Sequence, residues 1–339
     1  MALYALRVAR IVLARSVLVG ASPNPRARAH RGDGRTGSGR KEVEVHRRRL
    51  QRWAAGLAVS ALLVGCTGGD ASTAPTGIRE IRDVLYAKAL VPPAQDIKLD
   101  VYAPTGAGPW PMVIYMPGGG QKKDTGITIA RKLAERGTVV LVADHYHGAS
   151  MEDPPLGTGS RALFEEPDCA LRMARELAPD YGGDPAGVTW TGFSFGGVIG
   201  FEIALADADT EKQWDAFVAD HGGASQQYEC VSQKAPVPVS ALVVTGSVRA
   251  IDVWRDTYAT DPALGDFVGE TVRIGNNPDL VVRMIHGTAD EEVPYALAEE
   301  LAGQLRDAGY DAELTTLEGG DHTPNTEVML STVLEILGR

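Results

Sequence analysis

The chain is poor in aromatic residues, at 6% of its 339 positions. That leaves little material for a surface on which nucleic-acid bases would stack. It holds no glycine motif that would cradle phosphates, no haem-attachment motif and no internal repeat, so no cofactor and no solenoid are implied. Only three cysteines are present, too few for a disulfide-framed mini-protein. Positive charge is scarce beyond the first segment. Residues 1–66 carry 13 Lys and Arg against 3 Asp and Glu, and the remaining 20 and 41 leave the rest of the chain at net −21. Such a surface repels DNA, RNA and anionic lipid. The apolar fraction of 44% and charged fraction of 23% are otherwise those of an ordinary globular protein.

Long apolar runs are missing too. The run from Trp53 to Val64 has 12 uncharged residues, whereas a helix needs about 20 to cross a bilayer. It follows a cluster of arginines at 47–49 and 52 and ends at Leu63-Val64-Gly65-Cys66. Positive cluster, short apolar stretch and small residues in that order form a secretory signal. The last four resemble the bacterial lipobox, in which cleavage leaves Cys66 first and lipid is attached to its sulfur. Residues 1–66 are expected to be leader and signal, with 1–45 upstream of a true start near Val43 or Val45. Residues 67–78, rich in small polar side chains, are expected to be a flexible tether. The mature protein should then sit outside the cytoplasmic membrane, held to its surface by acyl chains. Cys169 and Cys230 remain, and in an exported protein such a pair reads as a candidate disulfide, against two buried thiols.

From residue 79 to 339 strand-like and helix-like stretches alternate. Strands are expected over 97–102, 112–116, 138–142, 188–191, 239–244, 280–285 and 313–317, most of them continuous apolar runs covered on both faces. Helices are expected over 127–136, 167–177, 196–205, 295–308 and 327–337. The pattern predicts one α/β domain with a mainly parallel sheet and helices on both faces. Residues 249–278 lack clean periodicity and read as a cap or substrate-side insertion, with a plain surface excursion as the alternative.

Gly192-Phe193-Ser194-Phe195-Gly196 lies between the strand ending at Thr191 and the next helix. This G-x-S-x-G in a strand–turn–helix setting forces a sharp turn that lifts the serine hydroxyl to the sheet's top. A serine needs a base, and His322 stands in a loop after the last strand. Asp290 closes His286-Gly-Thr-Ala-Asp290 after the preceding strand, and would orient the imidazole. Asp252 and Asp321 are rival acids. The order Ser194, Asp290, His322 is the one this turn type demands. Backbone N–H groups of Phe195 and of the Gly118–Gly120 stretch, with Gly119 and Gly120 as donors, would hold an oxyanion. His145 and His147 near Asp144 read as loop structure beside the site rather than metal ligands, and Asp220 to Gly223 as a surface loop or part of the cleft lining.

These phrases, together with Leu-Asp-Val-Tyr-Ala-Pro (99–104), Met-Pro-Gly-Gly-Gly (116–120) and Tyr-Gly-Gly-Asp-Pro (181–185), resemble the α/β-hydrolase superfamily, and within it carboxylesterases and dienelactone-hydrolase-like proteins. The resemblance implies an α/β-hydrolase fold and cleavage of small-molecule esters through an acyl-enzyme. Two residues depart from the pattern. Pro117 stands where many esterases place histidine, and Ser194 stands where dienelactone hydrolases use cysteine. Acyl transfer, peptide cleavage and a degenerate, merely binding hydrolase are the alternatives. Activity should rise with pH as the His322 imidazole loses its proton.

Overall fold

A computed structural model describes residues 75–90, 94–145, 159–207, 209–221, 228–259 and 262–339. Cys66, the leader, residues 67–74 of the tether, His147, and Gly222 and Gly223 lie outside the described residues. In chain order the elements are β1 (Ile78–Ala89), β2 (Gln95–Pro104), β3 (Trp110–Met116), α1 (Ile127–Ala134), β4 (Val139–Ala143), α2 (Gly159–Tyr181), β5 (Gly183–Phe193) and α3 (Phe195–Ala204). Then come α4 (Thr210–His221), β6 (Tyr228–Cys230), β7 (Val239–Thr245), the short α5 (Ala250–Val253) and α6 (Arg255–Tyr258), and α7 (Pro262–Thr271). The chain closes with β8 (Val281–Gly287), α8 (Tyr295–Asp307), β9 (Asp311–Leu317) and α9 (Thr326–Ile336). The described residues belong to one compact unit.

The strands form one sheet in the order β6-β1-β2-β4-β3-β5-β7-β8-β9. Pairing is parallel from β4 through β9 and antiparallel among β6, β1, β2 and β4. The apolar runs cover both faces because successive side chains point oppositely. Met112, Ile114 and Met116 join one buried cluster with α2, α3 and α8. Val113 and Tyr115 join the other, with α1 and α9.

Two expectations need correcting, over residues 76–78 and 167–177. Residues 76–78 are not free tether: Thr105 donates its N–H to Gly77 O at 2.8 Å, and Ile78 opens β1. This strand escaped notice because its register shifts between Ile81 and Val84 and again between Leu85 and Ala87. Each bulge breaks the period-2 pattern on which strand reading depends. The helix expected over 167–177 runs from Gly159 to Tyr181 with Pro167 inside it. Proline removes one helical hydrogen bond, but Leu163, Phe164 and Glu166 ahead of it are buried, and that packing sustains the extra turns. Residues 249–278 carry α5, α6 and α7. Phe267 stacks on Phe217 of α4 at 4.6 Å between ring centroids, and Trp254 lies 6.1 Å from Phe195, next to Ser194.

Cys169 and Cys230 are joined by a disulfide with Cα atoms 4.9 Å apart, tying α2 to β6 at the sheet edge. Among the described residues no helix is long and apolar enough to cross a membrane.

Candidate active site

Ser194 sits between the carboxyl end of β5 and the first residue of α3. Its backbone has φ 50° and ψ −118°, a conformation that costs a non-glycine residue about 1–3 kcal/mol. The surroundings hold it there. The Ser194 N–H donates to Thr245 O of β7 at 2.9 Å. The Trp190 indole N–H donates to Gly196 O at 3.1 Å, fastening strand to helix. A Cβ on Gly196 would lie 2.1 Å from Met116 O, so any other residue would drive α3 away from β3 and its following loop.

Asp290 and His322 arrive from the two neighbouring turns, after β8 and after β9. Those turns brace each other: the Ala289 N–H donates to Gly320 O at 2.8 Å, and the Gly319 N–H to Thr288 Oγ1 at 2.8 Å. Space for the pair is made by Gly246, with φ 59°, whose absent Cβ would stand 3.3 Å from the His322 ring and 3.4 Å from Asp290 Oδ2. His322 Nδ1 lies 2.8 Å from Asp290 Oδ2, and His322 Nε2 lies 2.8 Å from Ser194 Oγ. With Nδ1–H donating to the carboxylate, Nε2 presents its lone pair to the serine hydroxyl.

Asp290 is 7% exposed. Burial pushes its carboxyl upward, but hydrogen bonds from His286, His322 and the Val293 N–H outweigh it and hold Asp290 well below the ordinary carboxylate range. Asp290 is therefore ionised at neutral pH. Its Oδ1 accepts the N–H groups of Glu292 at 3.0 Å and Val293 at 2.8 Å. The rival acids are engaged elsewhere: Asp252 pairs with Arg249 at 2.8 Å, and Asp321 accepts the Thr323 hydroxyl at 2.8 Å.

Phe195 follows Ser194 directly, and Gly119 and Gly120 lie in the loop after β3. The N–H groups of all three have no hydrogen-bond partner among the described residues. The Gly118 N–H is taken by Gln121 Oε1 at 3.2 Å, so this loop offers its later amides and not its first. Pro117 donates nothing, and the loop is held instead from β4. His145, 1% exposed, donates Nε2–H to Gly118 O at 3.1 Å, and its ring meets Phe195 edge-on at 5.1 Å. His145 thus touches both the Gly118 loop and the residue after Ser194.

Sequence reasoning placed His145 near the site without a task and gave none to His286 or Glu292. His286 is 1% exposed, and its Nε2–H is shared between Val293 O at 2.7 Å and Asp290 Oδ2 at 3.3 Å. A signal existed, since a histidine closing a buried strand four residues before the acid can reach it across the turn. Glu292 had no signal: it is one carboxylate in a run of three. Its Oε2 lies 3.6 Å from His322 Nε2.

A cavity of about 1030 Å³ lies elsewhere, lined by Trp214, Cys230, Val239 and Asn277 among others and by no member of the serine–histidine–aspartate group. Val239 begins β7, so that cavity reaches the amino end of that strand, whereas Ser194 follows the carboxyl end of β5. Among the described residues no group of three or more His, Cys, Asp or Glu is placed to hold a metal ion.

Residues 97–246 match the dienelactone hydrolase family. A probable isoprenylcysteine alpha-carbonyl methylesterase of Oryza sativa subsp. japonica is 28% identical over 241 residues, 67% of this chain and 55% of that protein. This chain therefore spans about half of the rice protein's length. Among solved structures, Thermogutta terrifontis esterase 2 with butyrate bound superposes with TM-score 0.52 at 20% identity, covering 72% of this chain and 89% of that one. The same esterase phosphorylated by paraoxon gives 0.54 at 20% identity, over 77% and 94%. A truncated carbohydrate esterase from gut microbiota gives 0.53 at 18% identity, over 77% and 97%.

Proposed function

From an α/β-hydrolase fold whose residues 97–246 match the dienelactone hydrolase family, we propose a serine esterase acting on small carboxylic esters through an acyl-enzyme. The observation that carries this reading is the unbroken relay Ser194 Oγ–His322 Nε2 and His322 Nδ1–Asp290 Oδ2, each 2.8 Å. His322 takes the hydroxyl proton as Ser194 Oγ bonds to the ester carbonyl carbon. Negative charge moves to the carbonyl oxygen, where the amides of Phe195, Gly119 and Gly120 receive it. Collapse breaks the bond to the alcohol oxygen, which leaves with the proton from Nε2. Water then gives its proton to the same nitrogen, attacks the acyl carbon and releases the acid with Ser194 restored. Throughout, the Asp290 carboxylate stabilises the imidazolium without accepting its proton.

The test is a chain-length series of p-nitrophenyl esters on the purified protein, with fluorophosphonate labelling alongside. Turnover and labelling are expected in the wild type, with both lost in Ser194→Ala. Labelling that persists in Ser194→Ala would place the nucleophile elsewhere. Ser194 in place of a cysteine argues for simple esters over dienelactones.

The reading also places the enzyme on the outer side of the cytoplasmic membrane, held by lipid on Cys66. The order of positive cluster, short apolar run and Leu-Val-Gly-Cys supports it. Cys66→Ala should move the protein from the detergent phase to the aqueous phase on Triton X-114 separation, and no movement would refute the anchor.

A further inference from the structure

We infer that Glu292 sets the charge preference of the reaction centre, favouring esters of neutral or cationic alcohols and disfavouring those whose alcohol carries a carboxylate. The inference rests on the esterase reading and names the substrate class for that site.

Glu292 is held by the machinery itself. Its backbone N–H donates to Asp290 Oδ1 at 3.0 Å, so the carboxylate that orients His322 also fixes the turn from which Glu292 projects. The side chain reaches back across the turn, bringing Oε2 to 3.6 Å from His322 Nε2. That nitrogen faces Ser194 Oγ and hands its proton to the leaving alcohol. The alcohol must therefore lie beside Nε2, and a charge two or three bonds along it lies within several ångströms of the Glu292 carboxylate.

Among the described residues no Lys or Arg pairs with that carboxylate. Among the described residues the sole ionic partner of Glu292 is the His322 ring, which is neutral when it acts as a base. Glu291 and Asp290 beside it add charge of the same sign, and residues 67–339 carry net −21. The Glu292 side chain remains 53% exposed, so it meets the alcohol in a wet, partly screened setting. At an intermediate effective dielectric, one unit charge at such a distance changes kcat/KM by about tenfold in either direction. Glu292 also favours the imidazolium formed during attack, but that benefit is common to all esters and cancels in a ratio between them.

The experiment compares three butyrate esters that share one acyl group. Their alcohols are choline, its neutral isostere 3,3-dimethylbutanol, and 3-hydroxypropanoate. For the wild type at low ionic strength, kcat/KM should fall in that order, with the anionic ester about tenfold below the neutral one. In Glu292→Gln the anionic-to-neutral ratio should rise by about tenfold, and in Glu292→Lys the order should invert. Adding about 0.5 M salt should shrink the wild-type spread, because the screening length then falls to a few ångströms. A ratio unchanged in Glu292→Gln, with turnover intact, overturns the assignment of Glu292 and leaves the esterase reading standing. A wild type that favours the anionic ester overturns it equally. A wild type inert to all three esters and to fluorophosphonate overturns the esterase reading and this inference with it.

Discussion

Replacing Glu202 by glutamine should stabilise the protein at pH 8 and leave it almost unchanged at pH 5. Glu202 lies on α3, the helix that begins beside Ser194, and is 0% exposed. Its Oε1 accepts the Ala250 N–H at 2.8 Å, while Oε2 has no hydrogen-bond partner among the described residues. Burial pushes the carboxyl up, and the Ala250 N–H and the charge of Arg249 pull it only partly back, so it titrates at about 7 instead of 4.5. Below pH 4.5 the folded and unfolded chains both hold the proton. Between the two values the folded chain keeps a proton that the unfolded chain has released, so stability falls as pH rises. Above pH 7 both are ionised and the loss is complete. At about 1.4 kcal/mol for each pH unit in that window, the loss reaches about 3 kcal/mol.

Glutamine keeps an oxygen for the Ala250 N–H and carries no charge. Its amide group stands where Oε2 already lacks a partner, so no new orphan is created. Urea unfolding with the disulfide intact should therefore put Glu202→Gln about 2–3 kcal/mol above the wild type at pH 8, and within about 1 kcal/mol of it at pH 5. A variant weaker than the wild type at pH 8, or one that keeps the wild-type slope between pH 5 and 8, would refute the reasoning.

Asp290→Asn should lower kcat by about 10³–10⁴-fold, because the imidazole loses the partner that sets its tautomer; steady-state rates on a p-nitrophenyl ester measure it. Since Asp290 is held well below the ordinary carboxylate range, the acid limb of kcat/KM in Glu292→Gln should carry a single inflection, and a second one in that variant would contradict it. His145→Leu should cut kcat by about 10–100-fold with KM little changed, as the loop bearing Gly119 and Gly120 loses its tie. His145→Gln, which restores a donor to Gly118 O, should recover much of that rate; equal losses in both would mean the ring serves only packing against Phe195. The paired change Cys169→Ser with Cys230→Ser opens a link of sequence separation 61, and denaturant unfolding should show a loss of about 4 kcal/mol.

The alternation of apolar runs and amphipathic stretches made the parallel half of the sheet legible, because a strand covered on both faces can bury an unbroken apolar run. Val139–Ala143 and Val239–Thr245 are wholly or almost wholly apolar and were read within a residue or two of their ends. Local sequence failed where pairing is irregular or brief. β1 twists through two register shifts, and the three-residue β6 is tied to the molecule by pairing with β1 and by a disulfide. Neither produces a periodic signal.

The sequence alone determined which side chains were available for the chemistry. A serine flanked by glycines between strand and helix, an acid after the next-to-last strand and a histidine after the last follow from spacing, because that turn admits few other residues. Tertiary structure decided which atoms meet. It chose Asp290 over Asp252 and Asp321 by bringing the β8 and β9 turns together across Gly320, and it placed the His286 ring behind that acid. It set His145 against Gly118 O in the glycine loop, where Pro117 has no hydrogen to give, and it brought the carboxylate of Glu292 to 3.6 Å from His322 Nε2. These contacts join residues from separate turns and separate strands. Their distances depend on how the sheet stacks its carboxyl edges, which no local pattern encodes.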